Sequence, residues 1–149
     1  CKYADVILPN ISEAAFMTGM PYPGENASNE CIKDLLLSLA KLGSKKIVIT
    51  GVESADHKFG FMGYDSETKE FFEYYTPKVQ MKSHGTGDVF ASTFTGALMN
   101  DYNIQDSLKI AADFTKACIN NTYNDPEAVN YAVNFESEIP YLLKLIRKV

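Results

Sequence analysis

Residues 4–19 read ADVILPNISEAAFMTG, and this stretch decides the fold class. Its first part, ADVILPN, is a nearly continuous apolar run closed by Pro9, which is typical of a strand covered on both faces of a parallel sheet. Its second part has apolar and small residues at helical spacing, with Asn10 or Ser12 as the predicted N-cap and Gly19 as the predicted stop. The stretch therefore predicts a strand, a tight turn and a helix.

The following segments extend this pattern. NECIKDLLLSLAKLG (29–43) has an apolar face, a predicted cap at Ser28 or Asn29, and Gly43 at its exit, so it predicts a second helix. KKIVITG (45–51) then reads as another buried strand. A strand, two helices and a strand indicate a right-handed parallel crossover, and therefore an α/β sheet.

The rest of the chain adds a hairpin and three helices. Residues 56–76 alternate aromatic and polar side chains around the sequence SET, which predicts an antiparallel hairpin on the sheet. DVFASTFTGALMN (88–100) is rich in small residues and predicts a buried helix. NIQDSLKIAADFTKACINNTY (103–123) predicts a long helix capped by Asp106 or Ser107, and FESEIPYLLKLIRKV predicts a last one.

Composition, charge and cysteine count limit the class of protein to which this chain can belong. The 149 residues, 46% of them hydrophobic, predict a single globular domain, and the net charge of −5 argues against a broad nucleic-acid-binding face. Three cysteines without a CxxC pair favour a reducing, cytoplasmic location over a disulfide framework or a zinc site. Two of them, Cys31 and Cys118, fall on predicted apolar helix faces and are expected in the core, whereas His57 is expected at the surface.

Two further features concern membrane association and whether the chain is a fragment. No apolar run approaches the length of a membrane span, so no membrane association is expected. The chain starts at Cys1 and runs directly into a predicted buried strand. This start predicts that the 149 residues are a fragment of a longer protein.

HGTGDVF (84–90) is the strongest candidate motif. Gly85 and Gly87 permit a turn in which successive backbone N–H groups point into one concavity. A helix that begins at about Asp88 would add its free N–H groups and the positive end of its dipole. The motif predicts a phosphate site, and its alternative is an ordinary turn with Asp88 as N-cap.

Two other segments place polar groups at strand ends. Asn10 and Glu13 follow the first strand, where oxygen ligands suit Mg²⁺, although Glu13 alone also fits a first-turn residue that interacts with the helix dipole. Thr50 and Gly51 end the second strand. Because open α/β sheets bind ligands at the carboxyl ends of their strands, these residues favour a nucleotide site there.

The ordered set LPNISEA, IVITG and HGTGDVFAS resembles the ribokinase-like superfamily, and most closely its vitamin B6 branch, the pyridoxal and pyridoxamine kinases. The resemblance covers essentially the whole chain, and the later NYAVNFESEIPYLL resembles the tail of bacterial pyridoxamine kinases. It implies a three-layer α/β/α fold with a central, mostly parallel sheet and an added hairpin. Residues 1–149 would form the C-terminal, ATP-binding half of such a kinase.

The resemblance also implies roles for individual residues. Asp88 would be the catalytic base that takes the proton from the hydroxymethyl group of a B6 vitamer, and Gly85, Thr86 and Gly87 would form the anion hole around the transferred phosphoryl group. Glu13 and Asn10 would organise Mg²⁺, directly or through water. The remaining ATP contacts would come from Asn10, Thr50, Gly51, Val79, Met81 and Ile119.

The same resemblance implies ATP and Mg²⁺ as cofactors, K⁺ as a further candidate ion, and a homodimer when the protein is intact. Sugar and nucleoside kinases of the superfamily usually have Ala at the position of Thr86, and the hydroxymethylpyrimidine kinases of thiamin synthesis usually have Cys at that of Asp88. Both residues therefore favour the B6 branch. His84 either contacts the nucleotide or packs against the protein. A histidine at this position is also common in the pyrimidine kinases, so that branch stays the alternative.

Two non-enzymatic hypotheses remain. The chain by itself could be a catalytically inert nucleotide-binding fragment, because the superfamily draws most acceptor contacts from its N-terminal half. A receiver or flavodoxin-like binding domain fits the α/β pattern and the length. That reading is disfavoured because only Asp5 and Glu13 lie near early strand ends, whereas phosphoacceptor chemistry needs clustered acidic residues.

Overall fold

Two units make up the described part of the chain, Cys1–Lys78 and Val79–Val149, and each is described by itself. The structure, a computed structural model, describes residues 1–24, 27–78, 84–126 and 132–147. The single-domain organisation expected from the sequence stays a prediction.

The first unit contains a four-stranded sheet. Its strands are β1 (Val6–Ile7), β2 (Lys46–Glu53), β3 (Lys58–Asp65) and β4 (Glu70–Pro77), in the order β1-β2-β3-β4. β1 pairs with β2 in parallel, and the other two pairings are antiparallel. The predicted hairpin is therefore confirmed, and the sheet of the described residues is mixed, with one parallel pairing and the antiparallel hairpin added to it.

β1 is shorter than the strand predicted over residues 4–10. Pairing with β2 stops after Ile7 and resumes at an isolated parallel bridge between Asn10 and Thr50. Pro9 lies between them and has no N–H group to donate to the ladder, although its carbonyl accepts from the Thr50 N–H at 2.9 Å. The proline thus ends the regular strand while the chain keeps its course beside β2.

Two helices complete the first unit. α1 (Ile11–Thr18) is capped by Asn10 and ends at Gly19, whose φ of +68° is the left-handed conformation that favours glycine there. α2 (Asn29–Ala40) is capped by Ser28, one of the two residues predicted for this role. The core of this unit joins α2 to the middle of β2, and its fully buried members include Ile32, Leu35, Leu36, Leu39, Ile47 and Ile49.

Cys31 departs from its predicted place in the core. The buried face of α2 begins at Ile32, one residue later, and Cys31 lies in the first turn at the edge of that face. Its side chain is exposed. The apolar helical pattern therefore extended one residue further towards the N-terminus than the packing does.

The second unit is helical. Its elements are α3 (Thr86–Met99), α4 (Ile104–Asn124), a 3₁₀ turn (Glu136–Glu138) and α5 (Ile139–Leu145). Cys118 is buried in the core of this unit with Phe114 and Val133, as predicted. None of the helices in the described ranges is both long and apolar enough to cross a membrane.

Three details of the second unit correct the sequence predictions. α3 begins at Thr86 and not near Asp88, because Gly85 already turns the chain into the helix. α4 is capped by Asn103, whose Oδ1 accepts from the Asp106 N–H at 2.8 Å, and not by Asp106 or Ser107. α3 is also not buried all round: it packs along one face, and its buried residues are Thr93, Phe94 and Ala97.

Candidate functional site

Asn10 and Glu13 hold each other at the start of α1. The Glu13 N–H donates to Asn10 Oδ1 at 2.9 Å, and the Asn10 N–H donates to Glu13 Oε2 at 2.9 Å. This reciprocal pair is a capping box, which satisfies two backbone donors that the first turn would otherwise leave without partners. The spacing of Asn10 and Glu13 is the sequence signature of this box, which was not among the sequence predictions.

The capping box leaves one oxygen of Glu13 for a cation. Oε2 accepts from the backbone, and Oε1 takes part in no hydrogen bond within the described residues. Those residues contain no group of three or more His, Cys, Asp or Glu side chains that could hold a metal ion. Mg²⁺ fits such a place, because it keeps several waters and is bound through one or two carboxylates together with substrate phosphates.

Thr50 and Gly51 lie within β2, which continues to Glu53 and does not end at Gly51 as predicted, and Thr50 lies beside Asn10. Thr50 bridges to Asn10, and the pairing of β2 with β3 shifts register between Thr50 and Val52. Gly51 occupies this bulge with φ of +74°, a left-handed conformation that other residues adopt only with strain. The first unit therefore brings together the four residues that were predicted at these two strand ends.

α3 starts without a side-chain cap. Gly85 is its N-cap in the left-handed conformation, with φ of +81°. The first helical bond runs from the Val89 N–H to the Gly85 carbonyl at 3.0 Å, so the N–H groups of residues 86–88 have no intrahelical acceptor. Side chains cap the other three helices of eight or more residues in the described ranges: Asn10 caps α1, Ser28 caps α2 and Asn103 caps α4.

Asp88 lies in the first turn of α3, three residues after the cap, and is exposed. Gly87 beside it is helical and exposed, and a Cβ built on it would meet no atom within 4 Å. Glycine is a poor helix former, and no neighbouring atom excludes a side chain here, so neither helix propensity nor packing explains Gly87. A ligand that approaches the backbone closely would explain it.

The other predicted site residues are distributed as follows. Ile119 is partly buried on α4 and packs against the cluster that contains Phe114 and Cys118. His84 is exposed, and its carbonyl accepts from the Val133 N–H at 3.3 Å. Val79 and Met81 lie outside the described residues.

The remaining titratable candidates have structural explanations. His57 is a surface residue, as predicted: 85% of its side chain is exposed, and Nδ1 lies 3.0 Å from Glu53 Oε1. Burial raises the pKa of the Cys118 thiol to about 12, which keeps it protonated at neutral pH. Cys118 is therefore a core residue and not a nucleophile.

The described residues also form an apolar cleft that the sequence analysis did not identify. It lies between the end of β1 and the outer face of α1 and has a volume of about 520 Å³. Phe16 lines it with 90% of its surface exposed. Phe16 lies on the side of α1 away from Ala14, whereas Met17 also packs against the core of this unit.

Comparison with known proteins identifies the family of the chain. A family model described as phosphomethylpyrimidine kinase matches residues 1–133. A hydroxymethylpyrimidine/phosphomethylpyrimidine kinase from Haemophilus influenzae is 29% identical over 131 residues, which is 81% of this chain and 45% of that protein.

Two solved structures are similar over nearly the whole chain. One is a protein from Bacteroides thetaiotaomicron, described provisionally as a phosphomethylpyrimidine kinase and crystallised with pyridoxal (26% identity, TM-score 0.84, 99% of this chain and 51% of that one). The other is the pyridoxal kinase from Staphylococcus aureus in complex with ADP (26% identity, TM-score 0.74, 90% of this chain and 47% of that one). These likenesses confirm the ribokinase-like α/β fold, and the chain spans about half the length of the proteins it matches.

Proposed function

Because the chain belongs to the phosphomethylpyrimidine kinase family, we propose that the polypeptide containing it transfers the γ-phosphoryl group of ATP to the 5′-hydroxymethyl group of a vitamin B6 vitamer. The vitamer would be pyridoxal, pyridoxine or pyridoxamine. The kinase activity follows from the family, and the B6 substrate from residues of this chain.

The uncapped start of α3 is the observation that carries the proposal. Three successive N–H groups, those of residues 86–88, are free of helical acceptors beside a glycine turn. Phosphoryl transfer spreads negative charge over the oxygens of the transferred group, and preorganised donors stabilise that charge. In the proposed site these N–H groups bind the γ-phosphoryl oxygens, and Gly87 leaves room for them.

Asp88 is the proposed base. Its exposed carboxylate is on the same helical turn as these N–H groups. It would accept the proton of the hydroxymethyl group as the oxygen attacks phosphorus, so that the alcohol attacks without building up a full positive charge. The leaving ADP takes the bonding electron pair.

The residues of the first unit are proposed to hold the rest of the nucleotide. Glu13 Oε1 is the available carboxylate oxygen for hydrated Mg²⁺, which would neutralise phosphate charge when bound. Thr50 and Gly51 would lie along the phosphates, where the bulge at Gly51 has no side chain. Val79, Met81 and Ile119 remain proposed adenine contacts.

A hydroxymethylpyrimidine substrate is the second candidate. It is favoured by the likeness to the Haemophilus influenzae kinase, which has that name. The carboxylate of Asp88 favours the B6 substrate, since pyrimidine kinases of this superfamily usually have a cysteine there. Both candidates use the same phosphate site, so the substrate alone distinguishes them.

Asp88→Asn tests the proposed chemistry in a full-length polypeptide that contains residues 1–149. The amide cannot accept the substrate proton, so kcat for pyridoxal with MgATP should fall by about 10²–10⁴-fold, while the dissociation constant of ATP stays within about threefold. The wild-type protein should also turn over pyridoxal with a higher kcat/KM than hydroxymethylpyrimidine.

Asp106→Asn is the matched control, because Asp106 occupies the same first-turn position in α4 that Asp88 occupies in α3. It should leave kcat unchanged. Near-normal turnover of the Asp88→Asn protein would remove Asp88 from the role of base. A higher kcat/KM for hydroxymethylpyrimidine would replace the B6 substrate and keep the kinase.

A further inference from the structure

The glycine turn at the start of α3, residues 84–88, is not held by a side-chain cap. Gly85 caps the helix with its left-handed backbone, and the first helical hydrogen bond runs from the Val89 N–H to the Gly85 carbonyl. Helix ends without capping partners fray, whereas a phosphate site depends on N–H groups that are fixed before the ligand arrives. The contacts that fix this turn must therefore come from elsewhere in the second unit.

One such contact comes from the strap, the non-helical segment 132–135 that follows α4 in the described chain. The Val133 N–H donates to the His84 carbonyl at 3.3 Å. That carbonyl and the Gly85 N–H belong to one planar peptide group, in which they point in opposite directions. A contact that fixes the His84 carbonyl therefore also sets the direction of the Gly85 N–H at the start of the turn.

The side chain of Val133 gives the strap a second link to α3. Val133 is only 5% exposed and lies in a buried cluster with Phe114 and Cys118, and Val89 packs against the same cluster. A hydrogen bond of 3.3 Å is weak by itself, so the burial of Val133 matters for keeping its N–H in place. The position of the strap thus determines how firmly the turn is held.

Thr122 fixes the strap to α4. This residue is 2% exposed, and its Oγ1 donates to the Cys118 carbonyl at 2.7 Å and accepts from the Asn134 N–H at 2.8 Å. The hydroxyl has one proton, which is used within the helix, so a lone pair is left for the strap. A bond back to the preceding helical turn is common for threonine in helices, but it does not explain the second bond, to a segment outside the helix.

A parallel link between α4 and the strap is exposed to water. Asn121 Nδ2 donates to Ser137 Oγ at 2.6 Å, and Ser137 Oγ donates to Asn134 Oδ1 at 3.3 Å. Both bonds are exposed, so water replaces them at little cost. The buried bond to Thr122 is the one whose loss leaves the strap N–H without an equivalent partner.

We propose that Thr122 is a positioning residue for the glycine turn. Through the strap it holds the His84–Gly85 peptide, and so it keeps the N–H groups of residues 86–88 in place for the transferred phosphoryl group. The effect on catalysis rests on the proposed function, whereas the effect on the turn rests on the hydrogen bonds alone. Thr122 itself touches neither the turn nor the reacting groups.

Thr122→Val tests the proposal in a full-length polypeptide that contains residues 1–149, because valine keeps the branched shape and removes the acceptor. We expect kcat for pyridoxal with MgATP to fall by about tenfold, less than the loss of a phosphate donor itself would cause. KM for ATP should stay within about threefold, since preorganisation acts mainly on the transition state. Thr122→Ser keeps the hydroxyl and should restore kcat to within about twofold of wild type.

Amide hydrogen exchange gives a readout that does not depend on turnover. Exchange of the Val89 N–H should become about tenfold faster in Thr122→Val, because the turn that supplies its acceptor opens more often. Thr115→Val is the matched control: Thr115 is also buried on α4, and its Oγ1 has no hydrogen-bond partner among the described residues. This variant should change neither the exchange rate nor kcat.

Unchanged Val89 exchange in Thr122→Val would overturn the proposal, and so would an equal loss of kcat in the two valine variants. Faster exchange with normal kcat would overturn it as well, because the turn would then be loosened without consequence. Asn134→Pro, which removes the donor of the same bond, serves as the second variant if Thr122→Val does not fold. A wild-type protein without kinase turnover would remove the proposed function, and loss of the proposed effect on Val89 exchange would still be measurable.

Discussion

The two carboxylate oxygens of Glu13 differ in their hydrogen bonds. Oε2 accepts from the Asn10 N–H in the capping box, and Oε1 takes part in no hydrogen bond within the described residues. The local role is sufficient to explain a glutamate at this position, so position alone does not establish a metal ligand. The two roles differ in one physical requirement, because the box needs an acceptor oxygen and Mg²⁺ needs a negative charge.

Glu13→Gln separates these roles. A glutamine oxygen can still accept from the Asn10 N–H, so the free energy of unfolding should change by less than about 0.5 kcal/mol. The lost charge should raise the Mg²⁺ concentration that half-saturates ATP turnover in the full-length protein by about tenfold, corresponding to one charge-assisted contact.

Glu30→Gln is the control for this variant, because Glu30 is an exposed carboxylate in the first turn of α2 and its loss removes the same interaction with a helix dipole. It should leave the Mg²⁺ dependence unaltered. Equal Mg²⁺ dependence in the two variants would assign Glu13 to the capping box alone.

The residues that could be predicted from sequence are those whose roles depend on near neighbours. Asn10 as a cap and Gly19 as a helix stop need only the next few residues. The start of α3 was placed two residues late, because Gly85 caps it through a left-handed backbone and not through a side chain. Cys31 was misplaced because its burial depends on what covers the end of α2, and no local pattern contains that information.

The β3–β4 hairpin shows how one carboxylate organises an element. Lys46 Nζ on β2 lies 2.5 Å from Asp65 Oδ2, while Asp65 Oδ1 accepts from the Glu67 and Thr68 N–H groups at 2.9 and 3.4 Å in the turn. Burial opposes ionisation of Asp65, but these hydrogen bonds outweigh it and lower its pKa. Asp65 therefore joins β2 to the turn that sets the register of the hairpin.

Asp65→Asn should destabilise the chain at neutral pH by about 1–3 kcal/mol, because it leaves the partly buried Lys46 without its counter-ion. A pKa that is lower in the folded state means that this stabilisation is present above the unfolded-state pKa of about 4 and is lost as pH falls through the folded pKa. Urea unfolding between pH 7 and pH 3 measures both effects.

Glu67→Gln is the control for the hairpin variant. Its partner Lys45 and Glu67 itself are 61% and 56% exposed, so the pair contributes less than about 1 kcal/mol. The acid sensitivity of the wild-type protein should be weaker in Asp65→Asn and retained in Glu67→Gln. An Asp65→Asn protein as stable as wild type at pH 7 would mean that the turn holds without this carboxylate.

At the level of elements, the β3–β4 hairpin could be predicted from the local periodicity of the sequence. Alternating aromatics over residues 56–76 give β3 and β4 their faces, and a short turn fixes their register. The sheet as a whole was harder to predict, since the pairing of β1 with β2 joins segments about forty residues apart and Pro9 interrupts it. The exposure of Phe16 on α1 was not predicted, because the sequence of a helix does not show whether a residue on its outer side is covered by another segment.

At the scale of the whole molecule, residues 1–149 contain only part of the proposed kinase site. The proposed phosphate and metal contacts are residues at the start of α1 and at the bulge of β2 in the first unit, and at the start of α3 in the second. Apart from Asp88, none of these residues is proposed to contact the acceptor. Phosphoryl transfer needs the acceptor hydroxyl held in line with the γ-phosphoryl group, and its rate falls steeply when that alignment is lost.

The 149-residue chain alone should therefore bind ATP but turn it over poorly. In an assay of pyridoxal phosphate formed from pyridoxal and MgATP, we expect kcat/KM at least about 100-fold below that of a full-length polypeptide containing the same residues, because the acceptor is unaligned. Full activity of the chain alone would show that its own residues, and not the other half of the polypeptide, align the acceptor.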